Sequence, residues 1–195
     1  MKNMNKNTIL ILALFLISFG TKAQLKFGVR AGLNASNVSF PNLPNKSEKI
    51  GFHVGLFTDI PVVEDFMSVQ PELSYSTKGT AFKVLSEKQS INMNYVDFFL
   101  PVSFKMSDFN INVGPFASYL ISTPDYTYYN NNSVLVDAFK KIDAGLTAGL
   151  GYNFNKMMIG VRYNQGFIDV TQDNSRALLG SGKNAVGQLS IGYKF

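Results

Sequence analysis

The sequence predicts an all-β protein: an eight-stranded antiparallel up-and-down transmembrane β-barrel. Three observations predict it. Apolar residues alternate with small or polar ones in segment after segment. Each segment is close to the roughly 9–11 residues of a tilted membrane strand. The connections alternate between long and short, as in barrels with short turns on one side and long loops on the other.

The first 23 residues read differently, as a secretory signal peptide. Lys2 and Lys6 are positive, Ile9 to Phe19 is an apolar run, and Thr21-Lys22-Ala23 has the form of a cleavage site. The run is about 11 residues long, against the roughly 20 that a spanning helix needs. The barrel domain is therefore expected over residues 24–195.

The segments follow in order. Leu25 to Ala35 sets Leu25, Phe27, Val29, Ala31 and Leu33 opposite Lys26, Gly28, Arg30, Gly32 and Asn34. Ile50 to Ile60 sets Phe52, Val54 and Leu56 opposite His53, Gly55 and Asp59. Met67 to Thr77 sets Val69, Leu73 and Tyr75 opposite Gln70, Glu72 and Ser74. Tyr95 to Phe104 sets Val96, Phe98 and Leu100 opposite Asp97. Phe109 to Ile121 sets Ile111, Val113 and Tyr119 opposite Asn110, Asn112 and Ser118. Ile142 to Tyr152 sets Leu146 and Leu150 opposite Asp143 and Thr147, and Met157 to Phe167 sets Ile159 and Val161 opposite Gly160 and Arg162. Ala185 to Phe195 sets Leu189, Ile191 and Tyr193 opposite Gln188, Ser190 and Lys194. Long connections are expected near 36–49, 78–94, 122–141 and 168–184. Short ones are expected near 61–66, 105–108 and 153–156.

Period two alone does not say which face is inside. Arg30, His53, Glu72, Asp97, Asp143 and Arg162 share the small, polar face, and six ionisable groups in an apolar soluble core would be very costly. In a polar lumen they can pair; Arg30, Glu72 and Arg162 fall at similar depth, so a charge network with Glu72 between the arginines is expected. His53 is expected to bond Asp97 or Asp143. Two aromatic girdles are expected. Tyr75, Tyr95, Tyr119, Tyr163 and Phe167 lie toward the long loops. Phe104, Phe109, Tyr152, Phe154, Tyr193 and Phe195 lie toward the short turns. Pro71, Pro101 and Pro115 each demand a bulge or a missing ladder bond. Ile91 and Met93 are out of phase with Val96, so a bulge or boundary is expected near Asn94.

Composition excludes several functions. There is no Cys, hence no disulfide and no thiolate metal site. A single His and dispersed acids supply too few donors for a transition-metal site, and no cofactor is expected. Without Lys2, Lys6 and Lys22 the chain keeps 15 basic and 13 acidic residues, with no basic stripe for nucleic acid.

Several stretches resemble the outer-membrane β-barrel domain family, the PorT-like or "porin family" barrels. They are Pro71-Glu-Leu-Ser-Tyr-Ser-Thr-Lys-Gly79, Tyr95-Val-Asp-Phe-Phe-Leu-Pro101, Gly114-Pro-Phe-Ala-Ser-Tyr119, Asp143 to Tyr152 and Arg162-Tyr-Asn164. The family is similar in carrying such prolines. Where it has Ile before the proline of the fourth strand, this chain has Phe98-Phe99-Leu100. The resemblance implies an outer-membrane location and a barrel fold, and no agreed activity. The terminal aromatics Tyr193 and Phe195 resemble the signal read by the outer-membrane assembly machinery.

The leading reading of function is a non-enzymatic outer-membrane barrel with a structural or surface-interaction role. Membrane lipid is its surrounding. Tyr126, Tyr128 and Tyr129, in a Tyr- and Asn-rich loop, are candidate contacts for an extracellular protein or glycan. The alternatives are a narrow pore for ions or small solutes lined by the inner charges, an outer-membrane enzyme built on His53, and a secreted lipocalin-like carrier.

Overall fold

The computed structural model describes residues 25–39, 46–84, 87–122, 139–172 and 180–195. The expected leader 1–23 and the tyrosines 126, 128 and 129 lie outside the described residues. Eight strands, two of them interrupted by proline, form one closed sheet among these residues. They are β1 (Lys26–Val38), β2 (Lys46–Ser47 and Lys49–Val63), β3 (Met67–Val69 and Glu72–Val84), β4 (Glu87–Phe99 and Val102–Met106), β5 (Phe109–Ser122), β6 (Ile142–Phe154), β7 (Met157–Gly166) and β8 (Asn184–Lys194).

Each strand pairs antiparallel with the next, and β8 returns to β1 from Gly28 opposite Lys194 to Val38 opposite Asn184. Closure removes the exposed edges that an open sheet would leave. The short turns are tight. Met106 pairs with Phe109 and Phe154 with Met157, leaving two-residue connections. Ser107 and Asn155 take left-handed φ angles of 57° there, as hairpin turns that match strand twist require. Both ends of the domain meet on this rim, where Phe195 N–H donates to Phe27 O at 2.9 Å.

Burial decides which face is inside. Phe27 is 58% exposed, Leu56 65% and Leu150 58%, while Glu72 is 2% exposed and Asp97 0%. An apolar belt thus faces outward. On β6 it runs from Ile142 to Phe154. At a rise of ~3.3 Å per residue and a tilt of ~45°, that run projects about 28 Å along the barrel axis, the thickness of a bilayer's hydrocarbon.

Several expectations are corrected. The 78–94 connection is mostly strand: β3 runs to Val84, β4 starts at Glu87, and they pair as far as Val84 opposite Glu87. Above the hydrocarbon a strand has no reason to carry apolar residues outward, so the alternation fades while the ladder continues. In the same way β1 reaches Val38 and β2 begins at Lys46. Tyr95 belongs to no girdle; it is fully buried inside, on the same phase as Asp97. Met93 and Tyr95 both face inward on one continuous strand; the bulge expected near Asn94 is present, but it lies in the β4–β5 pairing, where Ile121 is the extra residue. Pro71, Pro101 and Pro115 meet their expectation by the second route: each leaves a ladder bond unmade, and the register continues past them without a bulge.

Candidate functional site

The interior is the candidate site, and side chains fill it in layers. At the short-turn end Asp59 collects Lys105 Nζ at 3.1 Å, Lys194 Nζ at 3.8 Å and Gln70 Nε2 at 3.4 Å. Lys194 also donates to Asn153 Oδ1 at 2.9 Å, so the last strand is tied to β2 and β6 across the lumen floor.

Above it Glu72 lies between two arginines. Arg30 Nη1 reaches Glu72 Oε2 at 2.6 Å; Arg162 Nη2 reaches the same oxygen at 2.7 Å, with Nη1 on Oε1 at 3.3 Å. Both guanidinium groups stack on inward phenylalanines, Arg30 on Phe57 at 5.1 Å and Arg162 on Phe99 at 4.5 Å. Such stacking suits a planar, weakly hydrated cation.

A polar chain then crosses five strands. Thr147 Oγ1 donates to Asn164 Oδ1 at 2.6 Å, Asn164 Nδ2 to Gln188 Oε1 at 3.0 Å, and Gln188 Nε2 to Asn34 Oδ1 at 3.0 Å. His53 Nδ1 lies 2.7 Å from Asn34 Oδ1. Asn34 Nδ2 donates to the backbone oxygens of Phe52 and Thr77, which fixes its amide, so the histidine carries its proton on Nδ1 and donates. The expected partners Asp97 and Asp143 are not the ones His53 takes. Gly32 faces His53 directly across the ladder, and Asn34, two residues on, is its inward diagonal neighbour.

Nearer the long loops Lys78 is buried against Asp97 Oδ1 at 2.7 Å and Ser118 Oγ at 3.0 Å, with its ammonium over Tyr95 at 4.7 Å. Ser76 Oγ donates to the other Asp97 oxygen at 2.5 Å. Asp143 accepts from Asn184 Nδ2 at 2.9 Å. The last layer is apolar: Val38, Met93, Tyr95, Leu120, Phe139 and Val170 pack together across the mouth, with Ile91 against them. Phe139 and Val170 come from loop stems that extend the wall. Lys140 N–H donates to Val170 O and Val170 N–H to Gly182 O.

The six inner-face residues expected from the sequence are thus divided among three layers. Arg30 and Arg162 both touch Glu72; Asp97 and Asp143 sit higher with Lys78 and Asn184, and His53 belongs to the polar chain. Lys78 escaped the sequence reading because it lies past the expected end of its strand. Asn34, Asn164 and Gln188 were legible as inward positions, but their mutual bonding was not. Phe57, Phe99, Phe116 and Met158 are buried inside, although the alternation reserves the interior for small and polar groups; phase alone would have placed them. Among the described residues, no group of three or more His, Cys, Asp or Glu could hold a metal ion. Tyr193 and Phe195 point outward, edge to face at 5.6 Å.

Comparisons with known proteins agree with this architecture. A family profile described as "Outer membrane protein beta-barrel domain" matches residues 19–172. The chain is similar to the crystal structure of Neisserial surface protein A, with a TM-score of 0.56 and 13% identity, over 87% of this chain and 97% of that one. It also matches Ail, the attachment invasion locus protein of Yersinia pestis, with a TM-score of 0.44 and 14% identity, over 87% and 98% of the two chains. No curated protein matches the sequence.

Proposed function

The chain belongs to the outer membrane protein beta-barrel domain family, and we propose that it works in that membrane as a closed, non-conducting barrel that anchors and presents its outer connections. One observation carries this reading: the lumen is occupied from floor to mouth. Ion pairs hold the lower and middle layers and an apolar cluster seals the top. An eight-stranded barrel's interior is just wide enough for side chains to fill, and here bulky ones fill it.

The pore reading has the inner charges in its favour, but they are spent on one another and not offered to a permeant ion. We read the protein as non-enzymatic: His53 is committed to Asn34, away from any nucleophile–base pair. The lipocalin-like reading falls with the family and with an apolar belt that faces outward. Further parts of the reading rest on sequence alone. They are export through a cleaved leader at 1–23, recognition of Tyr193 and Phe195 by the assembly machinery, and contact with an extracellular protein or glycan through Tyr126, Tyr128 and Tyr129.

Planar-bilayer recording tests the proposal. Purified full-length barrel reconstituted at single-molecule density should give no conductance steps across an applied voltage ramp. Reproducible ohmic steps from the wild-type protein would refute it.

A further inference from the structure

Pro71, Pro101 and Pro115 lie in three adjacent strands, and the unbroken register sets them side by side. Val69 opposite Val102 and Glu72 opposite Phe99 bracket Pro71 and Pro101 in one register. Val102 opposite Val113 and Phe99 opposite Phe116 bracket Pro101 and Pro115 in another. Thr58, Pro71, Leu100 and Pro115 therefore form one row, with Gln70 and Pro101 in the next.

Each proline still accepts a ladder bond. Thr58 N–H donates to Pro71 O at 3.0 Å, Gln70 N–H to Pro101 O at 2.9 Å and Leu100 N–H to Pro115 O at 3.0 Å. Such an antiparallel pair normally exchanges two bonds. Proline has no N–H, so the return bond to the oxygens of Thr58, Gln70 and Leu100 cannot form. Three consecutive seams, β2–β3, β3–β4 and β4–β5, thus lose a bond at one level of the wall. Gly114 closes in on the gap: a Cβ there would stand 2.5 Å from both Leu100 O and Pro101 Cα. The opposite arc has no such line. The β6–β7, β7–β8 and β8–β1 ladders run without proline or register shift.

We infer that this row is a hinge line in the barrel wall. The outer part of the β2–β5 arc, which carries the long β3–β4 hairpin and the mouth residues Met93, Tyr95 and Leu120, bends against the part below. The β6–β1 arc stays rigid. The hinge is a property of the wall and goes beyond the closed-barrel reading.

Hydrogen–deuterium exchange on the intact protein in lipid nanodiscs tests it. Peptides covering 54–60, 66–76, 97–103 and 112–118 should exchange at least tenfold faster than those covering 145–151, 158–164 and 187–193. Equal protection of the two arcs would overturn the hinge, and this wild-type comparison needs no variant to fold. Pro115→Val restores the N–H facing Leu100 O. It should slow exchange in 97–103 and 112–118 several-fold while leaving 187–193 unchanged. A folded variant with unchanged exchange in 97–103 would equally overturn it.

Discussion

Glu72→Ala is the most informative substitution in the lumen. Glu72 is 2% exposed and accepts three bonds from two guanidinium groups, themselves nearly buried. Its removal leaves Arg30 and Arg162 facing each other with no anion between them. Breaking a buried pair by deleting one partner costs about 3–5 kcal/mol, because the surviving charge is stranded. Here two charges are stranded, so the upper end, about 5 kcal/mol, is expected. With a urea dependence of ~2 kcal/mol per molar, that moves the unfolding midpoint down by about 2.5 M. The assay is urea titration of protein folded into lipid vesicles, followed by heat-modifiable gel migration and far-ultraviolet circular dichroism; the absence of Trp limits fluorescence. Glu72→Gln keeps acceptor geometry on one oxygen and should fall between wild type and Glu72→Ala. The triple replacement Arg30→Met, Glu72→Leu, Arg162→Met removes all three charges and should recover most of the loss. A Glu72→Ala midpoint within 0.5 M of wild type would refute the argument that this cluster is desolvated and interdependent.

Three further substitutions probe the lumen, the lipid face and a turn. Lys78→Met strands Asp97 and should cost about 3–5 kcal/mol, while adding Asp97→Asn should restore most of it; additive losses in that cycle would show the pair to be uncoupled. Leu150→Lys, at a side chain 58% exposed, should destabilise the folded barrel in vesicles by about 2–4 kcal/mol. A change within about 0.5 kcal/mol, normal for an exposed site of a soluble protein, would deny that Leu150 faces lipid. Ser107→Gly relieves a left-handed residue in a two-residue turn and should raise stability by about 0.5–1 kcal/mol in the same titration.

Alternation made the eight strands and their faces legible because the lipid face must be apolar at every step through the hydrocarbon. It failed where that demand stops. Thr77 to Val84 and Glu87 to Asn94 continue the ladder above the belt, where water and neighbouring strands accept any outward residue. Lys78 went unseen for that reason. The inner face was legible in phase but not in content. A rule of greasy outside and polar inside places Arg30 and Glu72 correctly, yet gives no reason to expect Phe57, Phe99 and Phe116 among them. Pairing across the lumen joins residues far apart in the chain, Arg30 with Glu72 at 42 positions and Arg162 with Glu72 at 90. No local pattern encodes such distances.

Large inward side chains explain two of the glycines beside them. A Cβ on Gly28 would come within 2.4 Å of the Phe57 ring, and one on Gly192 within 2.6 Å of Met158 Cγ. Gly28 and Gly192 are therefore sockets: each removes a side chain so that a large one from a neighbouring strand can enter the lumen there. A glycine-rich inner face in a wide barrel would mean open space. In an eight-stranded one, with no room between walls beyond that of side chains, it means interlocking. Phe57 in its socket lies under Arg30, Arg30 holds Glu72, and Glu72 holds Arg162 on Phe99. Aromatic packing and ion pairing in the middle of the barrel are thus one continuous structure. Opening a path for solute would require unseating both together.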